Sequence, residues 1–270
     1  MKKSLVLLLA FVLAASAACR KSGTAASDAP EAAASQSDQT AEEAPLSLDT
    51  ESVMKTIREG DAADILEILA LMTADREGWA AGDYEDLIRP LWNLFARQSS
   101  PQANDAGDEI QRRVSNLFNF GDWYPILEDL LIVASDRAAQ PSVREAAAEH
   151  LWRFATKDKA GQGFSIPAAD RPRIEKTVRF LLDDPGYALE ATAAQTASIL
   201  GMKSSVTRLK AIAGQAGVSA ELRSLKFTVG EALFGLGETG AALGVMQSLA
   251  AGSGDFSEEA AEFLKKNGKK

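Results

Sequence analysis

The chain has 270 residues, of which 46% are hydrophobic and 25% charged, with a formal net charge of −9. That length suits one or two domains, and the acidic balance argues against nucleic acid as a partner, because phosphate backbones are gripped by clustered cationic surface. A single cysteine rules out any disulfide within the chain.

The first residues read as a targeting segment rather than part of the fold. Lys2 and Lys3 precede an apolar run from Leu5 to Leu13, followed by small residues and then Cys19. The run is too short to span a bilayer comfortably. Ala17, Ala18 and Cys19 resemble the end of a bacterial lipoprotein signal peptide, which implies that Cys19 is lipidated and becomes the new N-terminus. Ser16 stands where that family usually carries an aliphatic residue, and Ala15-Ser16-Ala17 also suits ordinary signal-peptidase cleavage, which would leave a secreted or surface-exposed protein. Arg20 after the cysteine is not the aspartate that retains lipoproteins in the inner membrane, so the resemblance points to the outer membrane, facing the periplasm. The expected division is residues 1–18 as signal peptide, 19–47 as lipidated cysteine and linker, and 48–270 as the folded domain. Residues 20–47 are Ala, Ser, Gln, Thr and acids with almost no large apolar side chain. Such a segment buries too little surface to offset its ordering entropy and serves as a tether.

From Asp49 onward, apolar residues recur at helical spacing. Val53, Met54 and Ile57 mark a short first helix. Ile65, Leu66, Ile68, Leu69 and Met72 mark a second that is apolar nearly all round, hence buried. Leu87, Ile88, Leu91 and Phe95 follow Gly82-Asp83. Ile110, Val114, Leu117 and Phe118 come next, then Leu127, Leu130, Leu131 and Ala134 after Gly121-Asp122.

The second half repeats the theme more cleanly. Pro141 and Ser142 open a helix with Val143, Ala147, Leu151 and Phe154 inward, Ser142 being the expected cap with Glu145 as its capping-box partner. Residues 157–169 are expected to form a loop. Further stripes run through Ile174–Leu182, Leu189–Leu200, Val206–Ile212, Leu222–Leu236, Ala242–Leu249 and Ala260–Leu264. Glycine turns recur at Gly60, Gly82, Gly121, Gly201 and Gly237, separating about twelve helices with no convincing strand. Val143-Arg144 with Ala146, Ala147 and Leu151, and the helix ends Ile199-Leu200-Gly201 and Gly235-Leu236-Gly237, resemble bacterial HEAT repeats. Residues 140–251 carry the likeness well and 49–135 loosely. It implies an all-α fold, an α-solenoid of about five to six antiparallel helix pairs. A tetratricopeptide array fits less well, because the spacing is not a steady 34 residues.

Groups for catalysis are few. The lone histidine, His150, shares a stripe with Val143, Ala147 and Phe154, and is expected in the core with a hydrogen-bond partner. Gly235-Leu236-Gly237-Glu238-Thr239-Gly240 spells G-x-G-x-x-G, but it follows a helix instead of a strand, so it reads as an interhelical turn. Asn104, Asp105, Asp108 and Glu109 lack the spacing of a calcium loop. Asp183 and Asp184 precede Pro185 as turn residues, and the lysines at 265, 266, 269 and 270 form a solvated end. No metal or cofactor is expected.

All four tryptophans lie between residues 79 and 152. Solenoids line one face with their second helices, which would gather Tyr84, Arg89, Trp92, Asn93, Tyr124 and Glu128 into an aromatic-polar patch. Aromatic and Arg side chains anchor interfaces, so this patch is the candidate protein-binding site. The expectation is a non-enzymatic envelope scaffold or assembly factor acting on another envelope protein. Two alternatives stand beside it. One is a small-ligand carrier with an interhelical pocket near Trp92 and Trp123. The other is a lyase-type enzyme, since some HEAT-like proteins have that activity.

Overall fold

A computed structural model describes residues 48–98, 105–161 and 163–268, all within one compact unit. Cys19 and the linker lie outside the described residues. Those residues form thirteen α-helices and no strand. In chain order these are α1 (Thr50–Glu59), α2 (Ala62–Ala74), α3 (Arg76–Ala81), α4 (Ile88–Gln98), α5 (Asp105–Leu117), α6 (Leu127–Ser135), α7 (Pro141–Ala160), α8 (Arg171–Leu182), α9 (Tyr187–Ile199), α10 (Val206–Ala213), α11 (Ala220–Gly235), α12 (Thr239–Ala250) and α13 (Ser257–Asn267). Short 3-10 turns at Glu85–Leu87, Tyr124–Ile126 and Lys203–Ser205 lead into α4, α6 and α10.

The helix starts follow from local chemistry. Asp49, Asp61, Asp75 and Ser219 each accept a backbone N–H from the first turn of α1, α2, α3 and α11. Helix α3 is the one the apolar pattern misses. It is six residues long, too short to show a stripe, and is held by its Asp75 cap and by Trp79, which is buried. Ser142 does not cap α7. Gln140 occupies that place with Pro141 as the first helical residue, and the Ser142 hydroxyl accepts a bond from Gln111 Nε2 at 3.4 Å instead. The same helix runs on to Ala160, four residues into the stretch expected as loop, and ends at Gly161. Gly82, Gly121, Gly201 and Gly237 hold positive φ in their turns, whereas Gly60 is extended.

Packing joins near neighbours. Helices α6 and α7, α8 and α9, α10 and α11, and α12 and α13 pack as consecutive pairs. Across pairs, α7 packs on α9 and α9 on α11 in one row, while α6 packs on α8 in another. The register of the first row repeats. The third residues of α7, α9 and α11 are Val143, Leu189 and Leu222, all buried, and the fourth are Arg144, Glu190 and Arg223.

These fourth-position side chains tie one pair to the next. Arg144 Nη2 donates to the Ala134 carbonyl at the end of α6 (3.2 Å) and to Asp184 Oδ2 in the α8–α9 turn (2.7 Å). Glu190 accepts from Arg208 of α10 at 3.2 Å, and Arg223 Nε donates to the Asp255 carbonyl in the α12–α13 turn at 2.9 Å. Asp183 and Asp184 are turn residues as expected, and they are clamped. Arg208 meets Asp183 at 3.0 Å, and the buried Asp184 holds both Arg144 and the Gly186 N–H.

Candidate partner-binding surface

The helix registers decide which of the six candidate residues reach the surface. In α4, Ile88, Leu91, Trp92, Leu94 and Phe95 face the core, which leaves Arg89 and Asn93, one turn apart, outward. Trp92 is 2% exposed and lies among Phe95, Phe118 and His150 at ring-centroid distances of 5.8, 6.0 and 6.1 Å. Tyr84 is also buried, packed on Trp79, and its hydroxyl donates to Asp75. Burial and that bond raise the Tyr84 pKa, and the same bond with the Gly78 N–H holds the Asp75 carboxyl below its usual range. Trp92 and Tyr84 are therefore interior side chains and present no face to a partner.

The other four are exposed or half-buried on α4, on α6 and in the 3-10 turn before α6. Tyr124 is half-buried against Phe154 and Phe164, and its hydroxyl donates to Asp170 Oδ2 at 2.7 Å. Arg89 of α4 pairs with Asp129 of α6 at 3.0 Å. Glu128 of α6 pairs with Arg173 of α8, which also reaches Asp170 at 3.2 Å. Arg89, Tyr124 and Glu128 thus belong to one polar ladder across α4, α6 and α8, and Asn93 is exposed on α4 beside it. Each exposed pair contributes at most about 1 kcal/mol, so the ladder sets helix order more than stability.

Trp123 and His150 complete the aromatic core. His150 is 1% exposed, enclosed by Phe118 (4.8 Å), Trp123 (5.2 Å) and Phe154 (6.2 Å). The core position is as expected. The expected hydrogen bond is not made at Nε2, which has no partner among the described residues. Burial, with Arg153 and Lys157 nearby, pushes its pKa down to about 3, so the imidazole is neutral.

Two concavities open on the surface. A pocket of about 220 Å³ lies beside Trp79, Tyr84, Ile88, Gly121 and the carboxylates of Glu85 and Asp122. A larger groove of about 500 Å³ lies between α5 and α7 and reaches α9. Here α5 packs closely on α2 and α4, and α7 on α6 and α9, but α5 is not among the close partners of α7. Sequence reasoning passed over this groove. Its signal is the polar face of α5, where Asp108, Arg112 and Ser115 follow helical spacing opposite Ile110, Val114 and Leu117. Nothing in the sequence states that this face meets α7 across a gap.

Among the described residues no cluster of His, Cys, Asp or Glu suits a metal ion, and no helix is long and apolar enough to cross a membrane. No family model, curated protein or solved structure matches the chain.

Proposed function

We propose that this chain is a lipid-anchored, outer-membrane scaffold or assembly factor of the cell envelope, built as a HEAT-like α-solenoid and acting by binding another envelope protein without catalysing a reaction. The observation that carries the reading is the repeated register of α7, α9 and α11, in which fourth-position side chains link each pair to the next. Units that touch only their neighbours leave long open faces, the property that suits solenoids to binding extended partners. The sealed position of the only histidine also supports a binding role, since a general acid or base must reach a substrate proton. The Cys19 context supports the anchor, and residues 20–47 supply the tether.

In-cell crosslinking of the full-length protein followed by mass spectrometry tests the scaffold. A discrete envelope protein enriched over an unrelated lipoprotein supports it, and the absence of any enriched protein removes it. Metabolic labelling with a palmitate analogue tests the anchor. Label on the wild type that is lost in Cys19→Ala supports lipidation, and an unlabelled wild type removes it.

A second reading, a small-ligand carrier, draws on the pocket beside Trp79 and Tyr84. Its volume falls below the usual range for drug-sized ligands, roughly 300–1,000 Å³, so only a small molecule fits. Quenching of tryptophan fluorescence by envelope extracts, lost in a variant that fills the pocket, would favour it over the scaffold.

A further inference from the structure

Resting on the scaffold reading, we infer that the groove between α5 and α7 receives an extended, basic segment of the partner protein. The groove exists because α5 and α7 are bridged at their edges and not packed along their length. At one edge Gln111 Nε2 donates to Ser142 Oγ, and at the other Arg153 Nη1 donates to the Phe118 carbonyl at 2.6 Å. Between these bridges the floor is apolar, formed by Phe95 of α4 and Ala146 of α7.

The walls define the occupant's charge. Arg112 and Arg113 share Glu109 through bonds of 2.6 to 2.9 Å, and Arg153 engages Glu149 at 2.7 Å, which leaves three arginines against two carboxylates among these paired groups. Asp108 on α5 and Glu145 on α7 are exposed and unpaired among the described residues. With Asp108 and Glu145 added, four carboxylates stand against three arginines, so the balance at the groove is negative, and its unpaired carboxylates come one from each wall, which complements Lys or Arg side chains of an incoming segment.

The occupant's backbone state follows from the remaining groups. Ser115 and Asn116 are exposed with no side-chain partner among the described residues. Hydroxyl and amide side chains of this kind bond to backbone N–H and C=O groups. An extended segment presents those groups, whereas a helix has already satisfied them internally. A carboxylate on each wall, hydroxyl and amide side chains on α5 and an apolar floor together fit an extended chain whose basic side chains straddle the groove.

The test uses the full chain and a fluorescein-labelled peptide of alternating Lys and Ser, with an alternating Glu and Ser peptide for comparison, read by anisotropy. The Lys peptide binds and the Glu peptide does not. Asp108→Lys combined with Glu145→Lys, both at exposed positions, weakens the Lys peptide about tenfold or more. Glu258→Lys combined with Glu262→Lys, both exposed on α13, which packs on α12 and not on the groove helices, makes the same change in net charge and leaves affinity within about twofold. Equal losses in the two double variants, or no binding of the Lys peptide to the wild type, would overturn the assignment. Crosslinking of both double variants in cells separates this inference from the scaffold itself. A partner retained by the groove variant leaves the scaffold standing and removes the groove, and no partner with any version removes the scaffold.

Discussion

His150 shows how one buried group makes stability depend on pH. Its folded pKa of about 3 lies below the ordinary value of 6.5, because protonation would place a cation among Phe118, Trp123 and Phe154 near Arg153 and Lys157. The unfolded chain binds this proton below pH 6.5 and the folded chain does not. Stability from the neutral imidazole is thus complete above pH 6.5 and is lost as pH falls toward 3, by up to about 1.4 kcal/mol per pH unit. Carboxylates with lowered pKa, such as Glu109 at about 2, add their own losses as pH falls from the ordinary value of 4.5 toward 2. Burial raises the pKa of Glu190 and Glu231, which work in the opposite sense as pH falls, so urea midpoints are compared at pH 7 and pH 5 in the wild type and in His150→Phe. The wild type loses stability across that interval, and His150→Phe loses little. A variant with the wild-type slope would show that other groups carry it. Arg144 and Asp184 give the second residue-scale prediction. With side chains 7% and 5% exposed they form a buried ion pair, and removal of one partner leaves the other charge unpaired. Arg144→Met is expected to cost roughly 3–5 kcal/mol, and Arg144→Met with Asp184→Leu less than the single change. Equal losses in the two chains would mean that packing, not charge, is at stake.

The turns between helices set the order of the elements, and two glycines separate conformational from steric cost. Gly201 has φ +70 with open space where a Cβ would sit, whereas Gly121 has φ +68 and its Cβ would lie 2.8 Å from the Trp79 ring. Gly201→Ala meets the left-handed backbone penalty alone, roughly 1–2 kcal/mol. Gly121→Ala meets that and a clash with a buried indole, for a larger total loss, and thermal melts of the two variants should differ accordingly. These turns were legible in the sequence because glycine punctuates each apolar stripe. The stripes named most of the core as well, from Val53 to Met246. Trp92 was legible too, since it lies four residues after Ile88 on the inward face of α4. Helix α3, the true cap of α7 and the Arg144–Asp184 pair were not legible. The first is shorter than two turns, the second turns on a proline displacing a good capping residue, and the third joins positions 40 residues apart.

At the scale of the molecule, the proposed solenoid would make stability a local sum instead of a single global quantity. The last helix displays this most clearly. Helix α13 packs on α12, and its buried contact, Ala260 with Met246 and Leu249, is a small cluster separate from the main core. Helix α7, in contrast, carries nine buried residues, among them His150, Leu151 and Phe154, and packs on both α6 and α9. Opening α13 exposes little apolar surface, while opening α7 exposes the aromatic core that links residues 92 to 164. Amide exchange read by mass spectrometry should accordingly find α13 exchanging on the order of a hundredfold or more faster than α7 and α9, through a local opening. Mild urea should widen the range, moving α7 and α9 with global unfolding and leaving α13 nearly unchanged. Exchange of α13 and α7 in one cooperative step would contradict an additive array and describe a single bundle instead. An additive array has a functional consequence. In such an array, strain from the partner proposed between α5 and α7 would stay within the helices beside it, so one face could adapt to a bound segment while the rest of the molecule holds its form.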